Sequence, residues 1–370
     1  MKYYIIAGEA SGDLHGSNLI KELRRLDAAC DFRCWGGDKM KAAGAALVKH
    51  FKDLAFMGFV EVVMNLRTIF KNLAFCKNDI LQYQPDVLIL IDYPGFNLRI
   101  AKWAKKKGIK VVYYIAPQVW AWKESRVPKM MKSIDKMLVI LPFEKDYFKN
   151  KFNWNVDYVG HPLVKVIDDF KNEHNNDASL SDKKIIAVLP GSRKQEISVK
   201  LPVMLEAAKH FSDYRFIVAQ APSLDESFYQ PFLKDNPNVS IVKNQTYRLL
   251  SNAVAAMVTS GTATLETALF GVPEIVCYKG NAISYQIAKR LVKVKYISLV
   301  NLIMDKSVVK ELIQNDLTPA NLQQELQLLL EDEAKRLQIK NDYAALKQIL
   351  SAGGNASANA AKEIAAFVKK

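Results

Sequence analysis

Short apolar runs alternate with helically spaced segments along the first half of the chain. Tyr3–Ala7, Val87–Ile91, Val111–Ile115 and Met137–Leu141 are brief, rich in β-branched residues and bounded by Gly, Pro or Asp. Runs that are apolar on both faces predict strands of a buried parallel sheet. Between them, Leu19–Leu26, Val62–Cys76 and Leu98–Lys107 carry helical spacing. That alternation predicts an α/β fold with helices on both faces of the sheet. Residues 168–184 (DDFKNEHNNDASLSDKK) are polar and read as an exposed linker. The pattern then restarts, with strands predicted at Ile185–Leu189, Arg215–Ala219, Val239–Val242, Ala255–Thr259 and Glu274–Tyr278. A loop with Gly353 and Gly354 precedes a last helical stretch, Ala356–Lys370. The expected organisation is two Rossmann-like domains, 1–167 and 185–352, joined by the linker 168–184 and followed by a C-terminal helix in 353–370. Such domains bind ligands at the carboxyl ends of their strands, and two of them facing each other make a cleft there.

Composition narrows the class. Half of the 370 residues are hydrophobic and 24% are charged, which excludes intrinsic disorder. No segment approaches the ~18 uninterrupted apolar residues of a membrane span. The apolar run at the start ends at Ala7, shorter than a secretory signal requires, so the expected location is cytoplasmic. Cys30, Cys34, Cys76 and Cys277 form neither a CxxC pair nor a dense framework, and they read as buried free thiols. No metal and no cofactor is expected. The net charge of +14 favours anionic partners: phosphorylated metabolites, an anionic membrane face or nucleic acid. The basic residues are spread along the chain without a nucleic-acid motif, so specific nucleic-acid binding is not expected.

The candidate chemistry stands at the predicted strand ends. Gly8-Glu9-Ala10-Ser11-Gly12-Asp13-Leu14-His15-Gly16 follows the first strand with G-x3-G-x3-G spacing, unlike the G-x-G-x-x-G of dinucleotide folds. Its two acids, Glu9 and Asp13, suit hydroxyls better than a pyrophosphate; a helix cap by Ser11 or Asp13 is the alternative. Asp92-Tyr93-Pro94-Gly95-Phe96-Asn97 follows the Val87–Ile91 strand. A carboxylate there is partly desolvated, which lifts it toward general-base range; a Pro-Gly turn with Asp92 as a cap is the alternative. In Pro117-Gln118-Val119-Trp120-Ala121-Trp122, glutamine and tryptophan can bond and stack on a sugar or simply pack.

In the second half, Leu189-Pro190-Gly191-Ser192-Arg193 offers backbone N–H groups and a guanidinium fork suited to phosphate. Ser260-Gly261-Thr262-Ala263-Thr264-Leu265-Glu266 opens a helix whose N-terminus is an anion site or a plain Ser/Thr cap. Arg193, on another strand end of the same sheet, favours a nucleotide diphosphate, with Glu266 placed to hold a ribose. No D-x-D pair is present to carry a bridging metal, so a departing diphosphate would depend on protein dipoles and Arg.

These motifs, in this order, resemble the lipid-A-disaccharide synthase family of GT-B glycosyltransferases. The matching segments are GEASGD (8–13), GG (36–37) with AG (43–44), MGFVEV (57–62), DYPGFN (92–97), PQVWAW (117–122), LPFE (141–144), VGHPL (159–163), LPGSR (189–193), SGTATLE (260–266) and LVNLI (299–303). The resemblance implies that UDP-2,3-diacylglucosamine donates its sugar, with inversion, to 2,3-diacylglucosamine 1-phosphate. The products would be a β-1,6 disaccharide 1-phosphate and UDP. It assigns UDP to Gly191, Ser192, Arg193, Ser260, Gly261, Thr262, Thr264 and Glu266, with Asn301 near that site. It assigns the acceptor side to Ser11, Gly12, Asp13, Asn97, Gln118 and Trp120, with Asp92 as the base and Glu9 in reserve. Relatives often carry a second acid in the Asp92 loop, where Gly95 stands here. Another GT-B enzyme of UDP-sugars, such as an epimerase or a peptidoglycan glycosyltransferase, is the alternative within enzymes.

Acylated substrates imply a membrane-facing mouth. Projecting residues 60–77 on a helix puts Glu61, Asn65, Thr68 and Asn72 on one polar stripe and Val62, Leu66, Ile69, Phe70 and Leu73 on an arc expected to pack on the sheet. Met64 and Phe75 fall outside that arc, beside Arg67 and Lys71, a combination suited to an anionic interface. Phe56, Met57 and Phe59 extend the expected contact, on the inner face of the inner membrane.

Overall fold

A computed structural model describes residues 1–54, 66–174, 177–234, 236–280 and 294–369. Two compact units emerge. The first joins Met1–Pro162 to Ser351–Lys370, and the second is Leu163–Leu350.

In the first unit, β1 (Lys2–Ala7), β2 (Asp31–Gly36), β3 (Ala46–His50), β4 (Val87–Ile91), β5 (Val111–Tyr114), β6 (Lys136–Val139) and β7 (Asp157–Tyr158) form one sheet in the order β3-β2-β1-β4-β5-β6-β7. Its pairings are parallel. All five residues of β4 are buried, as a central strand covered on both faces requires. One face packs Ile6, Leu88 and Tyr113 with Ile100 and Ile80 of the helices Pro94–Lys106 and Leu66–Tyr83. The other packs Ile5 and Ile89 with Leu19 and Leu23 of the helix Ala10–Leu26. β3 and β7 carry mostly half-exposed residues, which is why no apolar run announced them.

The second unit repeats the plan with β8 (Ile185–Leu189), β9 (Arg215–Gln220), β10 (Val239–Lys243), β11 (Ala253–Thr259), β12 (Glu274–Tyr278) and β13 (Lys310–Ile313), in the order β10-β9-β8-β11-β12-β13, again parallel.

The unit boundaries differ from those expected from composition. Residues 168–173 belong to the helix Pro162–Glu173, whose acids are its solvent face; its Phe170 packs on Tyr247 and Phe270 of the second unit. The helix Ala356–Lys369 is no appendage. Its Ala360, Ala361 and Ile364 are fully buried against Leu19 and Leu23, inside the core of the first unit. Four buried free thiols complete the two cores.

The helix Leu66–Tyr83 is turned from its projection. Ile69, Leu73, Cys76 and Ile80, spaced i, i+4, i+7 and i+11, pack on the sheet, and Asn72 beside them is buried. Phe70, one residue off that stripe, is 61% exposed instead of packed. Phe75 is 50% exposed, with its ring 6.0 Å from that of Trp35. Phe56, Met57, Phe59 and Met64 lie outside the described residues. No helix among the described residues is long and apolar enough to cross a membrane.

Candidate active site

In each unit the strand order reverses once, at β1/β4 and at β8/β11. Connections on either side of such a switch point run to opposite faces of the sheet and leave a crevice beyond the carboxyl ends. The glycine-acid loop and the Asp92 loop leave β1 and β4. The Pro-Gly-Ser-Arg and Ser-Gly-Thr turns leave β8 and β11. Both switch points carry the predicted motifs.

At the first, Ala7 pairs with Ile91, so Gly8-Glu9 and Asp92 emerge side by side. Asp92 and Tyr93 are both left-handed, at φ +43 and +49. Non-glycine residues in that region store about 1–3 kcal/mol each and hold only where the surroundings enforce it. Asn97 enforces it, donating Nδ2 to the carbonyls of Asp92 (2.8 Å) and Ile91 (3.2 Å), while the Tyr113 hydroxyl donates to the same Asp92 carbonyl. Tyr93 lays its ring over Gly8 so closely that a Cβ there would stand 2.3 Å from it. Burial, reinforced by the nearby charge of Glu9, pushes the Asp92 carboxyl up to about 7. Asp92 is therefore a carboxylate half ionised near neutrality, on a rigid strand end. Glu9 opens the helix Ala10–Leu26 as its N-cap, and Ser11 in the first turn is partly exposed.

Several predicted acceptor contacts have other work. Asp13 is buried and takes the backbone N–H groups of Gly37 (2.7 Å), Lys39 (3.1 Å) and Met40 (3.0 Å), which fixes the loop after β2. A carboxylate with three donors has little left for a sugar. Asn97 is fully buried beneath the Asp92 backbone and acts by positioning it. Gly12 is buried, with room for little beyond hydrogen above Ala7. Trp120 is buried and donates its indole N–H to Glu144 at 3.1 Å. Gln118 alone of the loop's two predicted contacts is exposed.

Glu144 itself was not singled out from sequence as a site residue. It is 1% exposed, accepts the Leu141 N–H at 3.0 Å, and burial lifts its carboxyl to about 7. The Asp92 charge adds to that shift, so the two acids feel each other. Its signal in the sequence was the acid three residues after Leu141, at the start of a Pro-led helix.

At the second switch point, Gly191 (φ +126) and Gly261 (φ +148) adopt backbone that other residues resist. Ser192, Arg193, Gly261 and Thr262 are exposed, and the helix Thr262–Phe270 starts there with Gly261 as its N-cap. Ser260 donates to the Ile297 carbonyl at 2.9 Å and ties this turn to the segment before the helix Leu299–Met304. Glu266 accepts the Tyr247 hydroxyl on Oε1 at 2.8 Å, and burial raises its carboxyl to about 7. Two residues predicted to contact the donor are engaged in hydrogen bonds within the second unit. Thr264 is buried with its hydroxyl on the Gly261 carbonyl. Asn301 is fully buried and saturated by Val308 N, Val309 N, Val309 O and Glu311.

Comparison with known proteins agrees with this layout. The family model described as lipid-A-disaccharide synthetase matches residues 3–368. The lipid-A-disaccharide synthase of Syntrophus aciditrophicus is 39% identical over 378 residues, covering 99% of this chain and 97% of that one. That of Geobacter metallireducens is 38% identical, covering 95% and 93%. Among solved structures, UDP-GlcNAc 2-epimerase from Neisseria meningitidis bound to UDP-GlcNAc superposes with TM-score 0.68 at 13% identity over the whole of both chains. The glycotransferase of kitacinnamycin gives 0.66 at 14% identity over 98% of each. These two share the GT-B fold of paired parallel-sheet units. The chain belongs to the lipid-A-disaccharide synthase family of glycosyltransferases.

Proposed function

We propose that the chain joins UDP-2,3-diacylglucosamine to 2,3-diacylglucosamine 1-phosphate, with the two switch points closing on one cleft. Asp92 accepts the proton of the acceptor 6-hydroxyl as that oxygen attacks the anomeric carbon from the face opposite UDP. The bond from that carbon to the diphosphate oxygen breaks, and UDP leaves with the electron pair. Arg193 and the open N–H groups at Thr262 and Ala263 receive the developing charge, as preorganised donors do. Glu266 takes a ribose hydroxyl. Gln118, Ser11 and Glu9 meet acceptor hydroxyls, and the protonated Asp92 returns its proton to solvent.

The observation that carries this reading is Asp92 itself. It is a carboxylate raised to about 7 by burial, held in strained backbone beside Glu9, at the crevice where an α/β sheet binds its ligand. The acyl chains of both substrates suit a membrane-associated enzyme. Phe70 and Phe75 are exposed on the helix that also bears Arg67, Lys71 and Lys77, and the net charge is +14. Apolar side chains beside cations favour shallow binding to an anionic leaflet, so the proposed location is cytoplasmic, peripheral on the inner face of the inner membrane. The test is UDP release from the diacylated donor, which should require the diacylated monosaccharide phosphate. Release that ignores the acceptor, or epimerised sugar as product, would contradict the proposal.

A further inference from the structure

Lys200 sits on the helix Lys194–Ala208, two turns beyond the Pro-Gly-Ser-Arg turn, and its side chain is only 2% exposed. Burying an ammonium is costly unless it is paired. Among the described residues its ion-pair partner is Glu196, with Nζ 3.9 Å from Oε2. The other oxygen of that carboxylate, Oε1, accepts from Arg193 Nη1 at 3.3 Å. The same Glu196 side chain fills the space under Gly191, where a Cβ would stand 2.7 Å from Oε2. Burial disfavours the charged form of Lys200 and Glu196 favours it; of the other titratable groups bearing on it, Cys277 is a buried thiol and Arg193 opposes the charge.

One carboxylate is thus shared by two cations of unequal exposure. Arg193 is half exposed at the turn, and Lys200 is enclosed on the far side. A phosphate competes with Glu196 for the Arg193 guanidinium, and a carboxylate with no other cation would hold that side chain back. We propose that Lys200 is a positioning residue that retains Glu196 beneath the Gly191 turn and so releases Arg193 to the diphosphate of the UDP-sugar. This rests on reading residues 189–193 as the donor turn. A surface pair at i, i+3 needs no buried lysine behind it; a carboxylate whose partner must leave during binding does.

The experiment titrates UDP into the full-length chain and into K200M, E196Q/K200M and R193A, with donor KM and kcat measured alongside. K200M should weaken UDP binding about tenfold and raise donor KM in step, with kcat within about twofold. E196Q/K200M, which removes the tether together with its keeper, should bind UDP within about threefold of the parent. K200Q carries the same expectation should K200M fail to fold. Unchanged UDP affinity in a folded Lys200 variant, or a double variant as weak as the single one, would overturn the role of Lys200 and leave the donor turn standing. A parent chain that binds no UDP, or an R193A variant that binds it undiminished, would overturn the donor reading and this inference with it.

Discussion

Glu9 stands two residues beyond Ala7 and Asp92 one beyond Ile91, the last paired residues of β1 and β4, so two acids share the carboxyl end of the first sheet. Burial and then the Glu9 charge raise the Asp92 carboxyl to about 7. A general base must be ionised, so kcat/KM should rise about tenfold per pH unit below 7 and level off above it. E9Q removes the like charge and should move that acid limb to lower pH. A pH–rate profile whose limb stays in place would assign the titration to another group.

Gly8 is demanded by Tyr93 rather than by its own backbone. G8A drives a Cβ into the Tyr93 ring and should cost about 1–3 kcal/mol, with a matching loss of turnover. Adding Y93N removes the ring and keeps a residue tolerant of left-handed backbone, so thermal stability should recover in the double variant. Melting temperatures of the two variants decide this.

Glu274, at the head of β12, is 1% exposed with Tyr343 beside it, and burial raises its carboxyl well above the usual range. The folded state therefore binds that proton more tightly than the unfolded chain does. The stability this contributes is complete below the unfolded value of about 4.3 and is lost as pH rises toward the folded value. E274Q keeps the shape without the charge. It should raise the melting temperature at pH 8 to 9 relative to the parent, by about 2–4 °C per kcal/mol gained, and change little at pH 4.

Much of this was legible in the residues. Both parallel sheets followed from β-branched runs, and the Asp92 and Arg193 loops fell where strand ends put them. Sequence could not separate a polar residue that touches ligand from one that holds the loop. Asp13, Asn97, Thr264 and Asn301 sit inside motifs yet are buried with hydrogen bonds inside the fold, which the sequence pattern does not show. Lys200 shows the converse, since nothing in its local pattern announces a buried charge. The C-terminal helix gave no sign of its partner either, because its contact with the helix Ala10–Leu26 joins opposite ends of the chain.

Phe70 and Phe75 offer a direct handle on membrane association. F70S/F75S should lower the fraction sedimenting with anionic vesicles several-fold and leave the fold intact, whereas binding to neutral vesicles should be weak for both proteins. Equal sedimentation of parent and variant would place the contact elsewhere.

The most direct measurement is turnover of D92N with the diacylated donor and acceptor, alongside its affinity for UDP. Loss of the proposed base should lower kcat by about 10²–10⁴-fold with UDP affinity and melting temperature unchanged. Turnover close to that of the parent chain, in a folded D92N that binds UDP normally, would contradict proton transfer to Asp92 as the step that drives sugar transfer.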